Sequence, residues 1–210
     1  MELVDLTLSI PAGAGADRVT RLRELRLGAG GTAYTGMVYD FTHDSMVGTY
    51  IDFPGHIKET DDGLNAATYP LSRLYRVETT VIHLHRANAP GPVGAAELEA
   101  AAPDRIRGGG LVINALGECR FDEIRERSVW LDKDAVAWIA ASGVHLLVSD
   151  IYESAPALSG VFSDLFAAGI STICCPVNLH RLRSARVLVT ALPARFEAVT
   201  QLPCRVVAEL

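Results

Sequence analysis

Strands crowd the first third of this 210-residue sequence, and strand–helix–strand units fill the remainder. Those two patterns, with no linker or composition break between them, predict a mixed α/β fold in a single domain over residues 1–210. LVDLTLSI at the amino end alternates apolar and polar residues, as a half-buried strand does. PAGAGAD reads as a loop, and RLRELRL as a polar-faced strand ending at the Gly28–Gly31 cluster. TAYTGMVYDFTHDSMVGTYIDFPGH is rich in β-branched and aromatic residues at period 2 and breaks near His43–Asp44, which predicts two strands joined by a turn. The polar KETDDGLNAATYP is expected to be a mobile surface loop.

After Pro70 the pattern changes. VETTVIHLHR predicts a strand, GAAELEAAA a short helix and GGGLVINAL a buried strand. DKDAVAWIAASG has helical spacing at Val136, Ile139 and Ala140, with Asp132 as N-cap and Gly143 past the end. VHLLVSD predicts a strand, SDLFAAG a helix stopped at Gly169, and ISTICCPV another strand. ARVLVTALPARF and PCRVVAEL supply the last two. No internal repeat is present.

Composition narrows the function. With 19 basic and 25 acidic residues the net charge is −6, which disfavours nucleic acid and anionic membrane as partners. The longest uncharged stretches, Ala135–Ser149 and Leu165–His180, are too short to span a bilayer. MELVDLTLSI has acids and no basic n-region, so no secretory signal is expected. Four cysteines without a CxxC spacing, and no Asn in a glycosylation sequon, fit a reduced, cytoplasmic chain.

Several motifs carry little. Gly28-Ala-Gly30-Gly-Thr-Ala33 matches a dinucleotide fingerprint, but TAYTGMVYDF after it is strand-like where that fingerprint needs a helix. His83-Leu-His85 places two imidazoles on one strand face, either a metal pair or two solvated polar positions. The lack of a nearby carboxylate favours the second. Adjacent Cys174 and Cys175 point to opposite faces of a strand, so one fills the core and the other can line a cavity. His145 and His180 read as structural.

Gly48-Thr-Tyr-Ile-Asp-Phe-Pro-Gly-His56 is different in kind. It resembles the signature HxGTHxDxPxH of the cyclase family, whose known members include bacterial kynurenine formamidases and isatin hydrolases. Gly48, Thr49, Asp52, Pro54 and His56 all stand at the pattern's spacing. The likeness continues through VDLTL, YPLSRLYRVETTVIHL, LVINALG, GVHLLVSDIYES, LFAAGISTICCPVNL and ALPARFEAVTQLPCRVVAEL. The resemblance implies a barrel-like, mostly β core with flanking helices, of the swivelling β/β/α type. It also implies a homodimer or homotetramer with active sites near the subunit interface.

In the hydrolases of that family the signature supplies ligands to two metals. Here Met46 and Tyr50 stand at the two histidines of HxGTH. Phe162 or Ser163 stands at a later histidine and Cys174 at a glutamate, so only Asp52 and His56 survive. Met, Phe and a neutral Tyr offer zinc or manganese little. The expectation is therefore no metal and no cofactor. Strand parity aims Met46, Gly48, Tyr50 and Asp52 at one face, with His56 just past the Pro54 turn. A His–carboxylate pair with a phenol makes an acid/base set, and Tyr50, Asp52 and His56 are the expected catalytic residues. Met46, Thr49, Phe162 and Cys174 are expected to line the substrate cavity.

Three functions remain open. The first is a metal-independent enzyme that cyclises, dehydrates or isomerises a carbonyl-bearing small molecule. The family's occurrence in antibiotic pathways suggests natural-product biosynthesis by resemblance only. The second is a metal-dependent amide or lactam hydrolase with an atypical Asp52, His56 and Cys174 site. The third is a non-catalytic binding protein on the same fold.

Overall fold

The computed structural model describes residues 2–13, 18–29, 31–154 and 159–210. Its architecture is mixed α/β, built on a closed seven-stranded sheet. The strands are β1 (Leu3–Asp5), β2 (Arg18–Ala29), β3 (Thr32–His43), β4 (Tyr50–Asp52), β5 (Val77–His83), β6 (Gly91–Val93), β7 (Gly110–Asn114), β8 (Val129–Leu131), β9 (Leu146–Ser149), β10 (Ser171–Cys174), β11 (Arg186–Pro193) and β12 (Gln201–Glu209). The α-helices among the described residues are α1 (Ala95–Ala101), α2 (Lys133–Ala141) and α3 (Val161–Ala167). Strands β5, β7, β9 and β10 run parallel, and β10 pairs antiparallel with β4. β12 closes the ring: its start pairs with β4 and its remainder with β11, which returns to β5. β1 lies against the far half of β12.

The pleat divides the apolar residues between two cores. Val81, Val112, Val148, Ile173, Ile51, Leu202 and Val189 point into the barrel. Ile82, Leu111, Ile113 and Leu147 point outward and are covered by Leu98 of α1, Ile139 of α2 and Leu165 of α3. Covered on both sides, the parallel strands read as near-continuous apolar runs, and β7 and β9 are buried at every position. Asp132 caps α2 as expected, its side chain accepting the Lys133 N–H, and Gly143 follows the helix at φ +80°.

Three features differ from expectation. The first strand spans three residues: past Asp5 the Leu6 N–H still bonds the Val206 carbonyl of β12, while Thr7 turns to bridge Pro176. Two short parallel strands, β6 and β8, escaped notice because three residues give no readable period. The segment 58–70 is not a bare loop: Thr60 bonds the Pro54 and Ile57 carbonyls, and Tyr69 is 4% exposed against Phe53. As expected, the glycine fingerprint is followed by a strand and not a helix: Gly28 faces Ala33 and Ala29 faces Thr32, and Gly30 lies outside the described residues. Part of the expected 11–17 loop lies outside the described residues.

Candidate active site

β4 is wedged between β10 and β12, and its register sets the site. Tyr50 faces Cys174 and Pro203, while Asp52 faces Thr172 and Gln201. Because neighbours in register share a face, Tyr50, Asp52, Thr172, Cys174 and Gln201 all project outside the barrel. Ile51, Ile173 and Leu202 between them fill its interior. The chain reaches β4 through Gly48, at φ +64°, where a Cβ would sit 2.8 Å from the Leu8 carbonyl oxygen. That position needs glycine.

Helix α3 covers part of this outer face. The Phe162 ring stacks on Tyr152 at 4.9 Å and lies 5.9 Å from Phe166. Between α3, the ends of β9 and β10 and the loop from Leu116 to Val129 lies a cavity of about 230 Å³. Tyr50, Phe162 and Cys174 line it, as do Cys175, Tyr152 and Asp150. Burial pushes the Tyr50 phenol and the Cys174 thiol up, and the Asp52 charge nearby adds to both, so each holds its proton at neutral pH. Cys175 is pushed up to about 12, chiefly by burial.

Asp52 lies one layer below the cavity, 3% exposed. Its Oδ2 accepts the Cys174 S–H at 3.6 Å, and its Oδ1 is buried with no partner. Burial raises its pKa, opposed by the Gln201 amide and the nearby His56. His56 sits on the far side, exposed to solvent, on the short turn Pro54–His56 and edge-on to Phe166. Its ring does not bond the Asp52 carboxylate. The Gln201 amide nitrogen donates to His56 Nε2 at 3.1 Å, and the Ser45 hydroxyl donates to the Gln201 carbonyl oxygen. As placed, this leaves His56 with its proton on Nδ1.

The structure relocates several expected residues. Met46 is not on the strand: it occupies a turn, its N–H bonded to the Asp44 carboxylate, and is 55% exposed. The positive φ at Gly48 breaks the parity that would have aimed it at the site. Thr49 is buried away from the cavity, donating to the Cys175 carbonyl and accepting the Leu8 N–H. It ties three segments together. Cys174 and Cys175 do not alternate, because β10 ends at Cys174 and Cys175 turns to φ +55°. Both thiols therefore face the cavity. His83 and His85 also part, since β5 ends at His83. The His83 ring bonds Asn114 and the Leu182 carbonyl, and His85 faces solvent.

Asp150, at the carboxyl end of β9, accepts the N–H groups of Ala115 and Leu116 and the Asn114 side-chain amide. This fixes the start of the loop that walls the cavity. Sequence reasoning missed Gln201, Ser45 and Tyr152. Gln201 lies 149 positions from Asp52, and only the closure of β12 on β4 makes them neighbours. Glu153 accepts the Val161 N–H at the start of α3, seating the helix over the site.

The Cyclase family model matches residues 4–155. The chain belongs to the cyclase family. Among solved structures, it is similar to isatin hydrolase A from Ralstonia solanacearum, with TM-score 0.72 and 18% identity over 99% of this chain and 91% of that one. A structure described as a novel cyclase gives TM-score 0.78 at 13% identity, covering 100% and 88%. A third, described as a potential metal-dependent hydrolase with cyclase activity, gives 0.69 at 16%, covering 99% and 96%. At these identities the likeness is one of fold. No curated protein matches the sequence.

The description of one neighbour as a potential metal-dependent hydrolase raises the question of whether this cyclase-family site fits a divalent ion. Its donor set does not. Tyr50 is a phenol, Phe162 offers no donor, and the Cys174 S–H is directed at Asp52. His56 turns its Nε2 to Gln201. Among the described residues no three His, Cys, Asp or Glu side chains converge as a ligand set. The unpaired Asp52 Oδ1 alone points to a missing partner, and one carboxylate cannot hold zinc or manganese against water.

Proposed function

We propose that this chain is a metal-independent enzyme of the cyclase family that cyclises, dehydrates or isomerises a small carbonyl compound by proton transfer. The observation that carries the reading is a row of polar groups from cavity to solvent. Tyr50 faces Cys174 across β4 and β10, Cys174 bonds Asp52, and Gln201 bonds His56 on the other side. The acid/base set expected in one cluster is instead arranged in series.

Each group has one task. Tyr50, neutral in its buried setting, donates to the substrate carbonyl oxygen as negative charge develops there. If the proton crosses fully to that oxygen, the phenolate left on Tyr50 takes a proton back from the substrate carbon that gives one up as the product forms, so the exchange balances, while the Cys174 S–H stays directed at Asp52. The aromatic wall of Tyr152 and Phe162 suits a flat, apolar substrate, aromatic or polyketide-like. Four free cysteines support action in a reducing compartment, the cytoplasm. No helix among the described residues is long and apolar enough to cross a membrane.

The test is turnover of aromatic and poly-carbonyl candidates by protein treated with a strong chelator. Undiminished turnover after chelation supports the proposal. Turnover that vanishes and returns on adding zinc or manganese supports hydrolysis with an atypical metal site. Binding without turnover across the panel supports a binding protein.

A further inference from the structure

Glu126, Asp150 and Glu153 all line the cavity beneath α3. Two of these carboxylates are spoken for. Asp150 accepts the Ala115 and Leu116 N–H groups and the Asn114 amide, so its oxygens are engaged. Glu126 is exposed on the loop between Arg125 and Arg127, where water competes for it.

Glu153 is placed differently. It is 8% exposed, and its Oε1 accepts the Val161 N–H at 2.8 Å. Among the described residues its Oε2 makes no hydrogen bond, and unlike Asp52 Oδ1 it is not sealed off. That oxygen is left for the cavity the residue lines. Accepting one N–H at a helix start needs only a short Ser, Thr, Asp or Asn. A buried glutamate is a costly way to do it, because a carboxylate with one bond is poorly compensated for lost water. Next to Glu153 stands Tyr152, its hydroxyl tied to the Ile173 carbonyl at 2.9 Å and its ring stacked on Phe162. The free oxygen therefore belongs to a rigid aromatic wall.

We infer that Glu153 is the general base of this cavity, and that its substrates are flat ketones with a hydrogen on the carbon beside the carbonyl. The inference rests on the proton-transfer reading above and supplies its base for the case in which Tyr50 keeps its own proton. Glu153 Oε2 takes the proton from that carbon, and the C–H electron pair moves to form the enolate. The Tyr50 hydroxyl donates a hydrogen bond to the enolate oxygen. The carboxyl of Glu153 then returns the same proton to a second carbon conjugated with the first, and the carbonyl reforms. Nothing is oxidised or reduced, and no co-reactant enters. A carboxylate base facing a phenol donor is enough to enolise a ketone. An amide or lactam with no such hydrogen lies outside this class.

The experiment follows conversion of allyl phenyl ketone to its conjugated isomer, propenyl phenyl ketone, by ultraviolet absorbance. Wild type, Glu153→Gln, Glu153→Asp and Tyr50→Phe are compared. Calorimetry with the unreactive propyl phenyl ketone reads binding, and circular dichroism reads folding. The Gln side-chain carbonyl can still accept the Val161 N–H, so α3 stays seated while the base is lost. The inference expects Glu153→Gln to lower kcat about a hundred- to ten-thousand-fold with binding and fold unchanged. Glu153→Asp, which keeps a carboxylate, should be faster than Glu153→Gln, and the reverse order overturns the inference. Full turnover in Glu153→Gln beside an inactive Tyr50→Phe also overturns it, and leaves the proton-transfer reading standing. Wild type that binds propyl phenyl ketone but leaves allyl phenyl ketone unchanged overturns both.

Discussion

At the scale of single residues, the site is organised by what burial does to three protons. Tyr50 and Cys174 keep theirs, and Asp52 is raised above an ordinary carboxyl. An acid whose folded pKa is raised contributes no penalty below its unfolded value. It costs stability as pH climbs from there through the folded value. The protein should therefore lose stability as pH rises from the ordinary carboxyl range, 3.8 for this group, towards its raised value. Asp52→Asn removes the charge at a site whose Oδ1 has no partner, worth about 1–3 kcal/mol. Its thermal midpoint at pH 7 should rise by about 2–12 °C, while turnover falls about a hundred- to ten-thousand-fold. A midpoint below wild type would show that the carboxylate is well satisfied after all. Tyr50→Phe should lower kcat about a hundredfold with little change in KM, as loss of an oxyanion donor does. A raised KM at constant kcat would make Tyr50 a binding group.

At the scale of elements, β4 shows how much was legible and where legibility stopped. Its three residues were readable because the motif around them is specific, and Tyr50 and Asp52 do share a face. Parity failed one step upstream, at Gly48, because alternation assumes a strand that a positive φ ends. It failed again at Cys175 for the same reason. The strands β5, β7 and β9 were legible from their apolar runs, whereas β6 and β8 were too short to have a period. Gln201 left no local signal, since its importance comes from sheet closure. The glycine argument is testable by contrast. Gly48→Ala brings a Cβ against the Leu8 carbonyl and Ile10, whereas Gly63→Ala, at φ +77°, meets nothing within 4 Å. Chemical denaturation should show the first costing at least about 3 kcal/mol and the second about 1 kcal/mol. Equal losses would mean that the close approach to the amino-terminal segment is relieved without cost.

At the scale of the whole molecule, the barrel keeps the cyclase-family frame while the donors around β4 no longer suit the metal chemistry its neighbours' descriptions imply. Barrel closure brings Asp52, Cys174 and Gln201 together from three regions of the chain, and the packing of α3 adds Phe162. The barrel-like core and its helices were expected from resemblance, and the structure has them. The serial order of the proton-bearing groups was not readable, because it depends on which side of β4 each neighbour approaches. The central claim is that this site works without a metal, and elemental analysis of wild-type protein expressed with ample zinc and manganese tests it most directly. The account predicts well under about 0.1 equivalent of either ion per chain, since one carboxylate and an exposed imidazole bind too weakly to survive purification. About one or two equivalents, lost in Asp52→Asn, would contradict it.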